Sequence, residues 1–206
     1  MLHVGLTGGI GAGKSSVSEG FRERGAHILD ADQLARDLMA PGSETLEEVA
    51  DTFGRDILDD QGQLRRDRLA ARAFGDDEAR ERLDAILHPR INALEARHAA
   101  AIGARFPGAV VIYEAPLLLE SGADRNVHRI LVVDLPEELQ LERATARGER
   151  SPDQVRAIMA AQFNRQERLS RAHDVIDNSG PWEATERQIA TLMPHYRTLA
   201  TQKDNP

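Results

Sequence analysis

Residues 8–15 read Gly8-Gly9-Ile10-Gly11-Ala12-Gly13-Lys14-Ser15 and match the pattern G-x-x-x-x-G-K-[ST] at every specified position. The pattern is typical of a loop that wraps phosphate groups between a strand and a helix. Its surroundings fit, because Leu2–Thr7 is a short apolar run that predicts a buried strand. Residues 15–24 then predict a helix that stops at Gly25.

Each residue type in this loop has a physical role in holding a nucleotide. Glycines allow the backbone amides to turn inward as an anion-binding nest. Lys14 is expected to reach the β- and γ-phosphates, and Ser15 to ligate Mg²⁺. We therefore predict ATP and Mg²⁺ as cofactors, with the nucleotide bound by Gly8, Gly9, Ile10, Gly11, Ala12, Gly13, Lys14, Ser15 and Ser16.

Lysine is rare elsewhere, which singles out position 14. The chain has 26 lysines and arginines, and the only lysines are Lys14 and Lys203. Arginine-rich codon usage explains the shortage but does not explain why the one interior lysine lies in a complete phosphate loop.

Apolar strands alternate with helical stretches along the 206 residues. Continuous apolar runs are typical of parallel strands that are covered on both faces. We therefore predict an α/β, three-layer fold of the P-loop NTPase type, formed as a single domain around a parallel sheet. The further strands are expected at residues 27–30, 109–113, 129–134 and 174–177.

The composition excludes several classes of protein. A net charge of −8 disfavours a sequence-independent nucleic-acid binder. The absence of cysteine excludes disulfides, zinc-thiolate sites and a cysteine nucleophile, and it is compatible with a reducing cytosol. No apolar run approaches the roughly 18 residues of a membrane span, and the first residues do not resemble a signal peptide. We expect a cytoplasmic enzyme that acts on a small molecule.

Two carboxylates follow the second predicted strand, at Asp30 and Asp32. Ligands of open α/β sheets bind at the carboxyl ends of the strands, where a carboxylate can accept a proton from an attacking hydroxyl group. Asp30 or Asp32 could instead cap a helix that begins near Gln33. The sequence alone leaves this choice open.

A third acidic residue, Glu114, ends the predicted strand at 109–113 and is a candidate to hold Mg²⁺, although it could be an ordinary loop carboxylate. Residues 143–171 carry seven arginines against Glu149, Asp153 and Glu167, so this stretch is positive within an acidic chain. Arg143 and Arg147 share one helical face and could clamp phosphates as part of a lid. The alternative is a solvated helix surface.

A phosphate loop of this kind occurs in proteins of three functional classes, which are GTPases, small-molecule kinases and nucleotide-gated switches. A GTPase is disfavoured, because the guanine-reading motif Asn-Lys-x-Asp is absent. Phosphoryl transfer to a small acceptor fits best, whether that acceptor is a nucleotide, a sugar acid or another metabolite. A nucleotide-gated switch without a metabolite substrate stays open. Acceptor-dependent release of ADP distinguishes a kinase from a switch.

Several stretches together resemble the dephospho-CoA kinase family, over about residues 2–180. They are the phosphate loop, Asp30-Ala31-Asp32, Phe53-Gly54, Gly62 with Arg66 and Leu69, His88-Pro89, Pro116-Leu117-Leu118-Leu119-Glu120, Arg143, Arg147, Gln162 and Val175-Ile176-Asp177-Asn178-Ser179-Gly180. Asn164 and His173 depart from the family pattern near the end of the lid.

The resemblance implies transfer of the γ-phosphate of ATP to the ribose 3′-hydroxyl of dephospho-CoA, the last step of CoA synthesis. It also implies a helical CoA-binding insertion near residues 60–105 and a lid at about 143–171. By position, Asp32 would be the base, and Arg66 and His88 would help to hold the acceptor. Lys14, Arg143 and Arg147 would act on the phosphates. We expect a monomer, with an oligomer left open.

Overall fold

The computed structural model describes residues 1–73, 76–148 and 150–202. Strands within these residues are β1 (Leu2–Thr7), β2 (His27–Asp30), β3 (Val110–Glu114), β4 (Arg129–Asp134) and β5 (Asp174–Asp177). The α-helices are α1 (Lys14–Glu23), α2 (Ala31–Leu38), α3 (Glu44–Phe53), α4 (Arg66–Ala73), α5 (Asp77–Arg105), α6 (Glu137–Ala146), α7 (Pro152–Ala161), α8 (Arg165–Arg171) and α9 (Trp182–Gln202). Single 3₁₀ turns occur at Arg55–Ile57 and Ala123–Asn126.

The strands form one parallel sheet in the order β2-β3-β1-β4-β5. All six residues of β1 and all five of β3 are buried, as expected for strands with helices on both faces. The register pairs Leu6 with Glu114 and Asp30 with Glu114, so the carboxyl ends of β1, β2 and β3 lie side by side. The predicted α/β fold with a parallel sheet is confirmed.

The chain divides into two compact units, and the sheet belongs to the first, which comprises residues 1–30 and the chain from His98 onward. Its core contains residues of β1, β3 and β4 together with residues of α1 and α9. Phe21 of α1 stacks on Tyr196 of α9 with ring centroids 5.9 Å apart. Helix α1, which begins at the phosphate loop, is thereby fixed against the sheet and the last helix.

The second unit, Ala31–Arg97, has its own apolar core, formed by α3, α4 and the first part of α5. Ser43 caps α3 by accepting a hydrogen bond from the Leu46 amide, and Gly54 ends it with φ of 96°. Such a φ is readily adopted only by glycine. Helices α4 and α5 occupy the stretch expected to bind CoA, near residues 60–105, and that role stays a prediction.

The strand predictions are closely matched, and three helix details differ. Helix α2 begins at Ala31 rather than near Gln33. The sequence predicts the last helix over residues 182–196, and α9 extends further, to Gln202. The residues Asp134-Leu135-Pro136-Glu137 also predict a capping box at the start of α6, and this prediction is wrong. The N-cap is Pro136, which has no side-chain hydrogen-bonding group, and the Asp134 carboxylate binds Arg165 instead.

The residues Ser151-Pro152-Asp153-Gln154 also predict a capping box, and α7 begins with it, between Ser151 and Gln154. Gly75, Glu149 and Lys203, which entered the sequence arguments, lie outside the described residues. Within the described ranges, no helix is both long enough and apolar enough to cross a bilayer.

Candidate active site

The phosphate loop joins β1 to α1, and its glycines are required by close contacts and by backbone conformation. A Cβ placed on Gly8 would lie 2.5 Å from the carbonyl oxygen of Val133 on β4, which is too close for any side chain. Gly11 and Gly13 have φ of 74° and 87°, in the left-handed region. These conformations turn the loop toward the N-terminus of α1, where anions are favoured.

Lys14, the first residue of α1, folds back over the loop. Its Nζ donates hydrogen bonds to the carbonyl oxygens of Gly8 at 3.0 Å and Gly9 at 3.1 Å. The ammonium group is therefore held inside the curve of the loop, where a bound polyphosphate would need a positive charge.

The two predicted metal residues lie next to each other. Ser15 Oγ donates a hydrogen bond to Oε1 of Glu114 at 2.8 Å, and Ser18 donates to the other carboxylate oxygen. Glu114 is buried at the carboxyl end of β3, so its position is set by the sheet rather than by a mobile loop. A hydroxyl and a carboxylate suit Mg²⁺, which takes few protein ligands together with substrate phosphates. The described residues contain no group of three or more His, Cys, Asp or Glu side chains that could hold a metal without such phosphates.

The segment between α7 and α8 also binds the loop. Gln162 Oε1 accepts a hydrogen bond from the Ile10 amide at 3.0 Å. The next amide, of Phe163, donates to Oε1 of Glu120 at 2.8 Å. Gln162 and Glu120 were visible in the sequence only as parts of family motifs, and these contacts show what they hold together.

Asn178, after β5, connects the loop to three other elements. Its Nδ2 donates to the carbonyl oxygen of Ala12 at 2.8 Å, and its Oδ1 accepts from the Thr185 hydroxyl on α9 at 2.7 Å. Its own carbonyl oxygen accepts from Nη1 of Arg143 at 2.9 Å, and its amide donates to Asp134. This buried amide side chain therefore links the phosphate loop to α9.

Arg143 and Arg147 differ in their environments. Arg143 is half-buried on α6 and bound to Asn178, whereas Arg147 is exposed at the C-cap of that helix. The structure thus places Arg143 beside a residue that contacts the phosphate loop. A phosphate role for either arginine stays a prediction.

An ion pair anchors α8 to the sheet. Arg165 donates from Nε and Nη2 to the two carboxylate oxygens of Asp134 at 2.8 and 2.7 Å. This bidentate hydrogen bonding, with the attraction of the carboxylate, raises the pKa of Arg165. Asn164, one of the departures from the family pattern, caps α8 through a reciprocal pair of hydrogen bonds with Glu167.

The other departure, His173, also has a structural role, since its Nδ1 accepts from the Ile130 amide at 3.0 Å.

The acceptor residues implied by the family belong to the second unit. Asp32 is exposed in the first turn of α2, two residues after the end of β2. Arg66 is the exposed first residue of α4. His88 lies within α5, where its Nε2 is 3.5 Å from Oδ1 of Asp84. Asp32 is thus a helical residue rather than the N-cap.

A parallel sheet, a complete phosphate loop after β1 and a hydroxyl–carboxylate pair beside that loop define a nucleotide-binding protein of the P-loop class. A family model described as dephospho-CoA kinase matches residues 2–183. The dephospho-CoA kinase of Methylococcus capsulatus is 47% identical over 200 residues, which is 97% of this chain and 99% of the relative. That of Cupriavidus pinatubonensis is 45% identical over 201 residues, or 97% of each chain. The chain belongs to the dephospho-CoA kinase family.

Solved structures agree on the fold. A protein of Thermus thermophilus superposes with a TM-score of 0.78 at 32% identity, covering 94% of this chain and 97% of that one. Dephospho-CoA kinase from Campylobacter jejuni superposes with a TM-score of 0.72 at 24% identity, covering 95% and 97%. The family assignment makes the chain a kinase that uses ATP.

Proposed function

We propose that this chain transfers the γ-phosphoryl group of ATP to the ribose 3′-hydroxyl of dephospho-CoA, giving CoA and ADP. The observation that carries the proposal is the Ser15–Glu114 hydrogen bond beside a phosphate loop that holds the Lys14 ammonium group. The chain that contains them matches the family over residues 2–183. Phosphoryl transfer needs positioning and charge neutralisation more than covalent chemistry, and this site supplies both.

The loop and α1 would hold the donor. Residues 8–16 would surround the phosphates and bind them through backbone amides other than those of Ile10 and Ala12, which donate to Gln162 and to the Gly9 carbonyl. Lys14 would exchange its carbonyl partners for phosphate oxygens. Ser15 and Glu114 are the residues that would hold Mg²⁺, which would neutralise phosphate charge when bound. Ser18 keeps the Glu114 carboxylate oriented from its other oxygen.

Asp32 is proposed as the general base that accepts the proton of the 3′-hydroxyl as that oxygen attacks the γ-phosphorus. Two observations support this role over capping. Helix α2 begins at Ala31, so the residue before it is Asp30, and Asp32 stands within the first turn. Its carboxylate is exposed, as a group that meets a substrate must be.

The remaining residues have proposed roles in closing the site and binding the acceptor. Arg143 and Arg147 would neutralise phosphate charge from a lid at about residues 143–171. Arg66 and His88 would hold dephospho-CoA in a helical region near residues 60–105. We propose a monomer working in the cytoplasm, where ATP is supplied.

The test compares dephospho-CoA, AMP, adenosine and gluconate as acceptors in one coupled assay of ADP release. Dephospho-CoA should have the highest kcat/KM, and the truncated acceptors should lose kcat as well as affinity, because remote binding energy orients the reacting hydroxyl. Phosphorus NMR of the product reads the position of the new phosphate. Equal use of AMP, or a phosphate on any oxygen but the 3′-oxygen, would contradict the proposal.

A further inference from the structure

One arginine of α8, Arg168, is buried against the phosphate loop. Only 6% of it is exposed. A Cβ placed on Gly9 would lie 2.9 Å from its Nη2 atom, so the guanidinium contacts the loop at its second residue. Its Nη1 donates a hydrogen bond to the carbonyl oxygen of Phe163, which fixes the plane of the group.

Arg168 has no counter-charge at hydrogen-bonding distance. Across the part of the chain that the structure describes, it forms no ion pair, and burial lowers its pKa. Glu120, Asp134 and Glu137 attract it from a longer range, and the first two hydrogen-bond to the Phe163 amide and to Arg165. A guanidinium cannot shed its proton, and attraction at longer range only partly offsets the cost of burying it. Its position therefore calls for an anion.

The neighbouring contacts show where that anion would lie. The Ile10 amide, next to Gly9, is held by Gln162 from the same segment that Arg168 supports through Phe163. On the other side of Gly9, the carbonyl oxygens of Gly8 and Gly9 hold the ammonium group of Lys14. Arg168 and Lys14 thus both contact the start of the loop. Two positive charges there would attract the terminal phosphate of a nucleoside triphosphate.

We propose that Arg168 is a catalytic residue that donates hydrogen bonds to the γ-phosphoryl group of ATP, a role that rests on the proposed function. As the bond from the γ-phosphorus to the bridging oxygen breaks, its electron pair stays on ADP. The acceptor oxygen bonds to the phosphorus, and its proton passes to the base. Arg168 stabilises the charge on the oxygens of the transferring group, and its planar fork matches two of them.

The test separates contact with the γ-phosphate from support of the loop. For Arg168→Gln, kcat should fall by on the order of 10²–10³. The Kd for a non-hydrolysable ATP analogue should rise by about tenfold or more, whereas the Kd for ADP should change by less than about threefold. Arg168→Lys should recover part of kcat, because it keeps the charge and loses the fork. Arg187→Gln, which removes an exposed arginine of α9, is the matched control and should behave as wild type.

Chemical rescue provides a second measurement. A hollow of about 180 Å³ lies beside Arg168, lined by Gln140 and Gln162 among others. Truncation by Arg168→Ala enlarges it, so guanidinium ions added at millimolar concentration should restore kcat in a saturable way. The comparison of the ATP analogue with ADP then distinguishes contact with the γ-phosphate from bracing of the Phe163 carbonyl, because bracing alone would change the Kd of both nucleotides.

Two results would overturn the proposal. One is that Arg168→Gln weakens ADP and the ATP analogue equally. The other is that Arg168→Lys has wild-type kcat while guanidinium fails to rescue Arg168→Ala. If the wild-type protein does not phosphorylate dephospho-CoA, yet Arg168→Gln still loses its preference for the ATP analogue over ADP, then the acceptor is wrong and the role of Arg168 stands.

Discussion

The hydroxyl of Ser15 donates a hydrogen bond to the carboxylate of Glu114 at 2.8 Å, across 99 residues of sequence. One residue comes from the start of α1 and the other from the end of β3, so the pair exists only because β1 and β3 are neighbours in the sheet. Replacing one carboxylate oxygen of Glu114 by a nitrogen should therefore weaken the proposed Mg²⁺ site.

Replacing Glu114 by Gln should lower kcat and raise the Mg²⁺ concentration needed for half-maximal rate by about tenfold or more, because an amide is a poorer ligand for a hard cation. The measurement is the rate as a function of free Mg²⁺ at saturating ATP. Ser18→Ala is the matched control, since Ser18 bonds the other oxygen of the carboxylate, and it should shift the Mg²⁺ dependence much less. Identical Mg²⁺ curves for wild type and Glu114→Gln would remove Glu114 from the metal site.

Lys14→Ala should reduce kcat by on the order of 10²–10³ or more, since it deletes the charge placed inside the loop. Thermal unfolding should confirm that the variant is folded. Lys203→Ala removes the only other lysine and should leave the rate unchanged. A Lys14→Ala protein with near wild-type kcat would be incompatible with the phosphate-loop interpretation.

Asp32→Asn should keep ATP affinity and lose several orders of magnitude in turnover. The amide preserves the shape of the side chain but cannot take up a proton. Isothermal titration with ATP and single-turnover kinetics measure the two quantities separately. If the variant turns over normally but unfolds at a lower temperature, then Asp32 only stabilises the first turn of α2.

Arg143→Lys and Arg147→Lys should each lower kcat, because lysine lacks the planar fork that binds two phosphate oxygens. The larger loss is expected for Arg143, which is half-buried and one contact away from the loop through Asn178. Steady-state kinetics for both variants, with Arg187→Lys as the control, measure the difference. Unchanged kcat in both variants would contradict a role in the lid.

A pH-dependent stability is expected from Asp174. Burial alone would raise the pKa of this carboxyl, but hydrogen bonds from Arg129 and Tyr196 lower it overall. The folded state therefore holds the proton less tightly than the unfolded chain, so the stabilisation is present above the ordinary pKa of about 3.9 and is lost as the pH falls through the lowered pKa. Denaturation by urea at several pH values should show this loss on the acid side.

The corresponding variant, Asp174→Asn, should cost about 3 kcal/mol at pH 7, because it leaves Arg129 partly buried without its partner. In a chain of this size that corresponds to a fall in Tm of roughly 6–12 °C. Tyr196→Phe removes one hydrogen bond to the same carboxylate and should cost about 1.5 kcal/mol. Equal stability curves for Asp174→Asn and wild type at pH 7 and at pH 3 would exclude this contribution.

Strands and the loop were predictable from sequence because their signals are local. Continuous apolar runs give the bounds of β1 and β4, which lie inside the sheet and are almost entirely buried. The edge strands β2 and β5 are only partly buried, and each has two apolar residues between polar ones within the predicted bounds. Residues of the loop are adjacent in the chain, so one motif contains them all. The place of Glu114 at the carboxyl end of β3 was also predictable, because it ends an apolar run, and its metal role stays a prediction.

Contacts between distant elements left no local signal. The capping box expected at Asp134 is absent because the N-cap of α6 is Pro136, two residues later, and the Asp134 carboxylate forms a bidentate pair with Arg165, 31 residues away. Arg168 was one of seven arginines in a positive stretch, and its charge pattern did not distinguish a buried guanidinium from an exposed one. Its contact with Gly9 depends on how α8 packs on the sheet, which no periodicity encodes.

The same packing limits how this loop can evolve. In the phosphate-loop pattern the second position is unrestricted, yet here a Cβ on Gly9 would lie 1.9 Å from Oε1 of Gln140. Gln140 is itself anchored, through its Nε2, to the Leu135 carbonyl at 2.7 Å. A side chain at position 9 would therefore require the ends of both Gln140 and Arg168 to move or to be shortened, so substitutions at these three positions are expected to depend on one another.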